Sequence, residues 1–149
     1  MHNVQALIGR FEVNAFADPS KAIPLPQGLF LVPVNDVFYR AKCEIDPPSV
    51  IQQFEFLTPE FLSWLKHVSI EQTLAYVETD YFGGDGGQGA ILLSNGEIIY
   101  GPSFGDEEHI NSVLRLLGVK VCAEEHDEFG SVGLGNYRSS QEWLASTEG

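Results

Sequence analysis

Gly84-Asp85-Gly86-Gly87-Gln88-Gly89 matches G-x-G-x-x-G, the pattern that cradles a dinucleotide pyrophosphate. That chemistry needs a strand before the glycines and a helix after them, so that the helix N-terminus meets the phosphates. Here the following residues, Ala90 to Gly96, read as a strand ending in a hairpin turn, and no lysine follows the glycines. Nucleotide binding is therefore not expected, and 83–87 reads as a flexible glycine loop able to touch a ligand or partner. Glu78, Asp80 and Asp85 offer carboxylates, but the twelfth residue counted from Asp80 is Ile91, so no EF-hand calcium loop is present. Cys122 and His126 would share a helix face, yet a transition-metal site needs three or four converging ligands. No metal and no cofactor are expected.

Cys43 and Cys122 are far apart, so no Cys-x-x-Cys is present for redox or zinc chemistry. Arg138 is one of only three basic residues after Tyr100, with Arg115 and Lys120, and it follows the glycine-rich segment 133–137. It either bridges the nearby acidic run or binds an anionic group. Tyr81, Phe82 and Tyr137 flank glycine stretches and read as contact anchors or core lids. The remaining candidates are acidic: Asp85, Glu107 and Glu108 beside Asp106, and Asp127 and Glu128 at the end of the run from Glu124.

The charge balance explains that bias. Lys plus Arg total 8 against 21 Asp plus Glu, a formal net charge of −13 over 149 residues. Direct nucleic-acid binding is disfavoured, because it requires cations that displace phosphate counterions. Anionic membrane surfaces are disfavoured for the same reason. The N-terminus lacks a basic region followed by an apolar core, so no signal peptide is expected. Cys43 and Cys122 read as two buried free thiols in a reducing cytoplasm.

The elements that must position these residues follow from turn and periodicity signals. The chain 1–149 reads as a single domain of the α+β class. Thr73–Phe82, 88–94 and 97–100 form an antiparallel β-meander, with Asn95-Gly96 as its two-residue turn and Gly101-Pro102 as its end. Helices are expected over 36–43, 59–67, 106–117 and 140–145. Thr58-Pro59-Glu60 and Ser139 to Glu142 give helix starts, and Asp106-Glu107-Glu108 supplies carboxylates for the positive end of a helix. Gly28–Val34 reads as a buried strand and Val119–Ala123 as a short one. Val4, Leu7, Ile8 and Phe11 suit one helical face.

Several segments together resemble an uncharacterised family of small, mainly bacterial proteins. They are Glu78-Thr79-Asp80-Tyr81-Phe82-Gly83-Gly84-x-Gly86-x-Gln88-x-Ala90, Leu117-Gly118-Val119, Asp127-Glu128-Phe129 and Gly133-Leu134-Gly135-x-Tyr137-Arg138-x4-Trp143. Leu25-Pro26-Gln27-Gly28 leading into Leu31-Val32-Pro33 is similar as well. The resemblance implies no particular reaction or cofactor. A looser resemblance is to acidic immunity proteins that neutralise toxins, and it implies a protein partner.

The function expected is that of a non-enzymatic acidic binding protein, with a basic protein such as a toxin domain as partner. Its acidic runs 106–108 and 124–128 would recognise that partner by complementary potential. The alternative is a small enzyme or small-molecule binder whose pocket lies between the 83–89 glycines and 133–138, with Arg138 holding an anion and Asp80 acting as base. A homo-oligomer is compatible with either.

Overall fold

The computed structural model describes residues 2–10, 22–43, 50–70, 72–82, 85–106 and 108–146. Six antiparallel strands form one open sheet in the order β2-β3-β1-β4-β5-β6. They are β1 (Gln5–Gly9), β2 (Ile23–Leu25), β3 (Leu29–Pro33), β4 (Thr73–Phe82), β5 (Asp85–Ser94) and β6 (Glu97–Gly105). The helices are α1 (Asp36–Lys42), α2 (Pro59–Val68), α3 (His109–Leu116), α4 (Glu128–Ser131) and α5 (Ser140–Ala145). The architecture is α+β, and the expected meander is β4-β5-β6.

Two apolar clusters show that both faces of the sheet are covered. On one face Leu7, Val32, Tyr76, Ile91 and Leu93 pack with Tyr39 of α1, Phe61 and Leu65 of α2, and Phe54, Phe56 and Leu57. On the other, Ile8, Leu31, Val77, Ala90 and Leu92 pack with Ile110, Val113 and Leu114 of α3 and Trp143 of α5. Full burial of each large side chain contributes about 1.5–3 kcal/mol, so the two clusters dominate stability.

This two-sided burial corrects the N-terminal expectation. Of the residues read as one helical face, Leu7 and Ile8 lie in β1, a central strand between β3 and β4 with every residue buried, Val4 precedes it, and Phe11 lies outside the described residues. Leu7 enters one cluster while Ala6 and Ile8 enter the other. A strand that is apolar on both faces has no period-2 alternation to read.

The glycine segment is the second correction. β4 and β5 pair without interruption from Thr73↔Ser94 to Phe82↔Asp85, so 85–87 is strand rather than loop, while 83–84 lie outside the described residues. The glycines there answer a steric demand. A Cβ on Gly89 would sit 2.4 Å from the Phe104 ring and 2.6 Å from the Phe54 ring, and one on Gly87 would sit 2.7 Å from the Gly105 carbonyl oxygen. β6 likewise continues past Gly101-Pro102 to Gly105, with register shifts between Ala90 and Leu93. Pro102 is tolerated because β6 is the outer strand, where a missing N–H breaks no ladder.

Helix starts set by local chemistry lie where expected. Phe38 N donates to Asn35 Oδ1 (2.8 Å), Phe61 N to Thr58 Oγ1 (3.1 Å) and Glu142 N to Ser139 Oγ (3.1 Å). α3 differs. It begins at His109 rather than 106, and no side chain of its own N-cap, Glu108, caps it. Residues 119–123 form no strand, and Cys122 and His126 lie on an exposed turn rather than a helix. Cys43 is buried and free as expected, whereas Cys122 is exposed and free. Among the described residues no helix is long and apolar enough to cross a membrane.

Candidate functional site

Interest centres on the end of the sheet where β4 turns into β5. Adjacent strand residues point to opposite faces, so Asp80 and Tyr81 open onto different clefts.

On the α3 side, a cleft of about 310 Å³ is lined by Tyr81, Gln88, Glu108, Asn111, Asp127 and Phe129, with His2 at its base. The N-terminus is tied down here: His2 N donates to Tyr81 O (3.0 Å) and Tyr81 N to His2 O (2.9 Å). His2 Nε2 donates to the Leu134 carbonyl (3.2 Å), which leaves Nδ1 to accept from the Thr79 hydroxyl (2.6 Å). That hydroxyl in turn accepts from Val4 N (2.9 Å). Burial pushes the His2 imidazole below its ordinary pKa, consistent with a neutral ring whose two nitrogens are both occupied.

Two helix N-termini face this cleft, and side chains close both. Gln88 Oε1 accepts from Ile110 N of α3 (2.7 Å), while Gln88 Nε2 donates to the Tyr81 hydroxyl (3.0 Å). Asn111 Oδ1 accepts from Phe129 N of α4 (2.8 Å), and Asn111 Nδ2 donates to Asp127 Oδ2 (3.2 Å). Asp127 Oδ1 caps α4 by accepting from Gly130 N (2.8 Å). The role expected of Asp106 to Glu108 in starting α3 is thus taken by Gln88, 22 residues away.

On the opposite face, a cleft of about 500 Å³ is lined by Gln53, Asp80, Gly86, Gly87, Phe104 and Asp106. Beside Asp80, the Glu55 carboxyl is raised by partial desolvation and by the Asp80 charge. Beneath the Glu55 backbone lies Glu78, only 2% exposed. Its Oε1 accepts from Glu55 N (2.6 Å), and its Oε2 accepts from Phe56 N (3.0 Å) and the Tyr76 hydroxyl (2.5 Å). Burial drives its pKa up to about 7 against the opposing pull of those donors. Glu78 is therefore a latch holding the 54–57 segment against the sheet.

The sequence-derived candidates divide among several places. Tyr81, Glu108 and Asp127 meet in the first cleft, although Asp127 serves there as a helix cap. Glu128 is buried rather than a solvated recognition charge: Arg115 Nε donates to its Oε1 (2.9 Å). Phe82 and Asp85 are the last pair of the β4–β5 ladder. Glu107 lies outside the described residues. Tyr137 and Arg138 line a separate hollow with Glu142, where the Tyr137 ring packs edge-on against Trp143 at 4.6 Å. The alternative reading places a pocket between the 83–89 glycines and 133–138. The backbone of His2 and Asn3 runs between the two segments, with Asn3 N donating to Arg138 O (2.7 Å).

His2, Gln88, Asn111 and Phe129 were not anticipated. Gln88 and Phe129 fall within the resembling segments, but nothing local marks His2 or Asn111, whose roles arise from contacts far apart in sequence. Among the described residues no group of three or more His, Cys, Asp or Glu is arranged to hold a metal ion. No family model matches the chain, and no curated protein or solved structure matches it.

Proposed function

We propose that this chain is an acidic binding protein that docks a basic protein, in the manner of an immunity protein masking a toxin domain. The observation that carries the reading is the charge at the hairpin end of the sheet. Asp80 and Asp106 line the cleft on one face, Glu108 and Asp127 line the cleft on the other, and among the described residues no Lys or Arg lines either. Phe104 on one side and Tyr81 and Phe129 on the other supply aromatic contact area beside those carboxylates. Aromatic anchors ringed by one sign of charge suit a partner of the opposite sign. The looser resemblance to immunity proteins points the same way, as does the net charge of −13. In this reading the protein works in the cytoplasm, where the exposed Cys122 stays reduced.

Two candidate acid–base groups, His2 and Glu78, are already committed. Both His2 nitrogens are bonded, and Glu78 is sealed beneath the 54–57 segment. That favours binding over acid–base catalysis. The test is capture of any basic protein domain encoded beside this chain's gene, together with protection of cells from that domain. Capture and protection are the expected results. A folded, pure protein that neither captures nor protects overturns the reading.

A further inference from the structure

We propose that the cleft between β4, α3 and α4 is a receptor for one guanidinium group, the head of an arginine side chain on the docking partner. The inference rests on the binding function proposed above and names the group recognised.

Hydrogen-bond capacity decides what the cleft can hold. Two helix N-termini would ordinarily make it an anion site. Three of the N–H groups at these helix starts are already taken: Ile110 N by Gln88, Phe129 N by Asn111 and Gly130 N by Asp127. What stays open is acceptor capacity. Each Asp127 oxygen has one partner and keeps a further lone pair. Glu108 caps nothing with its side chain. An anion would meet the two lining carboxylates, Glu108 and Asp127, and be repelled by both.

An apolar guest fails for a different reason. It would strip water from Glu108 and Asp127 and return no hydrogen bond. A metal ion fits poorly, because among the described residues no group of three or more His, Cys, Asp or Glu converges, and the cleft offers two carboxylates only. A guanidinium satisfies each constraint. It carries five N–H donors in one plane for the two carboxylates, and that plane packs against aromatic rings such as Tyr81 and Phe129. At about 310 Å³ the cleft is at the small end of ligand pockets, which suits one long side chain rather than a cofactor.

The probes are N-acetyl-arginine amide and its uncharged isostere N-acetyl-citrulline amide. Binding is read from the backbone amide NMR shifts of Tyr81, Asn111 and Phe129. The arginine amide should shift all three with saturation at about millimolar concentration, as expected for one charged head group. The citrulline amide should bind about tenfold more weakly or worse, since it lacks the charge-assisted bonds. Glu108→Gln should weaken the arginine amide by about tenfold. Glu97→Gln, an exposed charge at the far end of β6, should leave it unchanged.

Equal binding of the two amides overturns the proposal. So does a Glu108→Gln variant that binds like wild type, or saturable shifts confined to residues outside the cleft. If the protein captures its basic partner while the cleft ignores arginine amide, the cleft assignment fails and the binding function survives. If the cleft takes arginine amide and no basic domain is captured, the reverse holds.

Discussion

Replacing Glu78 by Gln should change how stability depends on pH, because this acid is buried against its own charge. Its folded pKa is raised to about 7 from an ordinary 4.5. A carboxyl whose folded pKa lies above its unfolded value favours the folded state while it is protonated. That contribution is full below 4.5, falls as pH rises through the interval, and is gone above about 7. Integrating between pH 5 and pH 8 gives a loss of about 2 to 3 kcal/mol in the wild type from this one group. The substituted amide cannot ionise and escapes the loss. Its N–H groups will face the Glu55 or Phe56 N–H unfavourably, but that penalty is constant in pH and cancels in the comparison. Urea unfolding of both proteins at pH 5 and pH 8 measures the difference. The variant should gain about 2 to 3 kcal/mol on the wild type as pH rises. A pH-independent gap, or a gap that moves toward the wild type at pH 8, would refute the argument.

Gly89→Ala should destabilise by about 1–3 kcal/mol, because its Cβ would overlap the Phe104 and Phe54 rings; chemical denaturation checks this. Arg115→Ala should cost about 1–3 kcal/mol by leaving the buried Glu128 carboxylate without its charged donor, and Glu128→Gln in the same background should recover part of the loss. With a thiol reagent, one cysteine should react in the native protein and two in denaturant. The reactive one is the exposed Cys122, since burial holds the Cys43 thiol up at about 11.

Features legible in the sequence are those decided within a few residues. Thr58-Pro59 and Ser139 carry their helix caps in adjacent atoms, and Asn95-Gly96 supplies the positive φ values its turn requires. β1 was illegible because both its faces are buried, which erases the alternation that distinguishes a strand. The glycine segment misled for a related reason. Glycine signals freedom in a loop and room for a ring in a sheet, and only the position of Phe54 and Phe104 separates the two. The same holds for the start of α3, where the capping group is Gln88 on a neighbouring strand. Tyr81, Glu108 and Asp127 were readable as candidates by type. Their convergence rests on Gln88, which bonds Tyr81 and the start of α3, and on Asn111, which bonds Asp127 and Phe129 N at the start of α4.

Charge reversal at the hairpin end tests the central claim most directly. Asp80→Lys, Asp106→Lys and Glu108→Lys fall on exposed side chains that line the two clefts, where a charge contributes little to stability, so the triple variant should fold. The measurement is the association rate constant with the basic domain that the wild-type protein captures, at low and moderate salt. The account predicts a rate at least about tenfold below wild type at low salt, with a shallower salt dependence. An unchanged rate for the folded variant would contradict it.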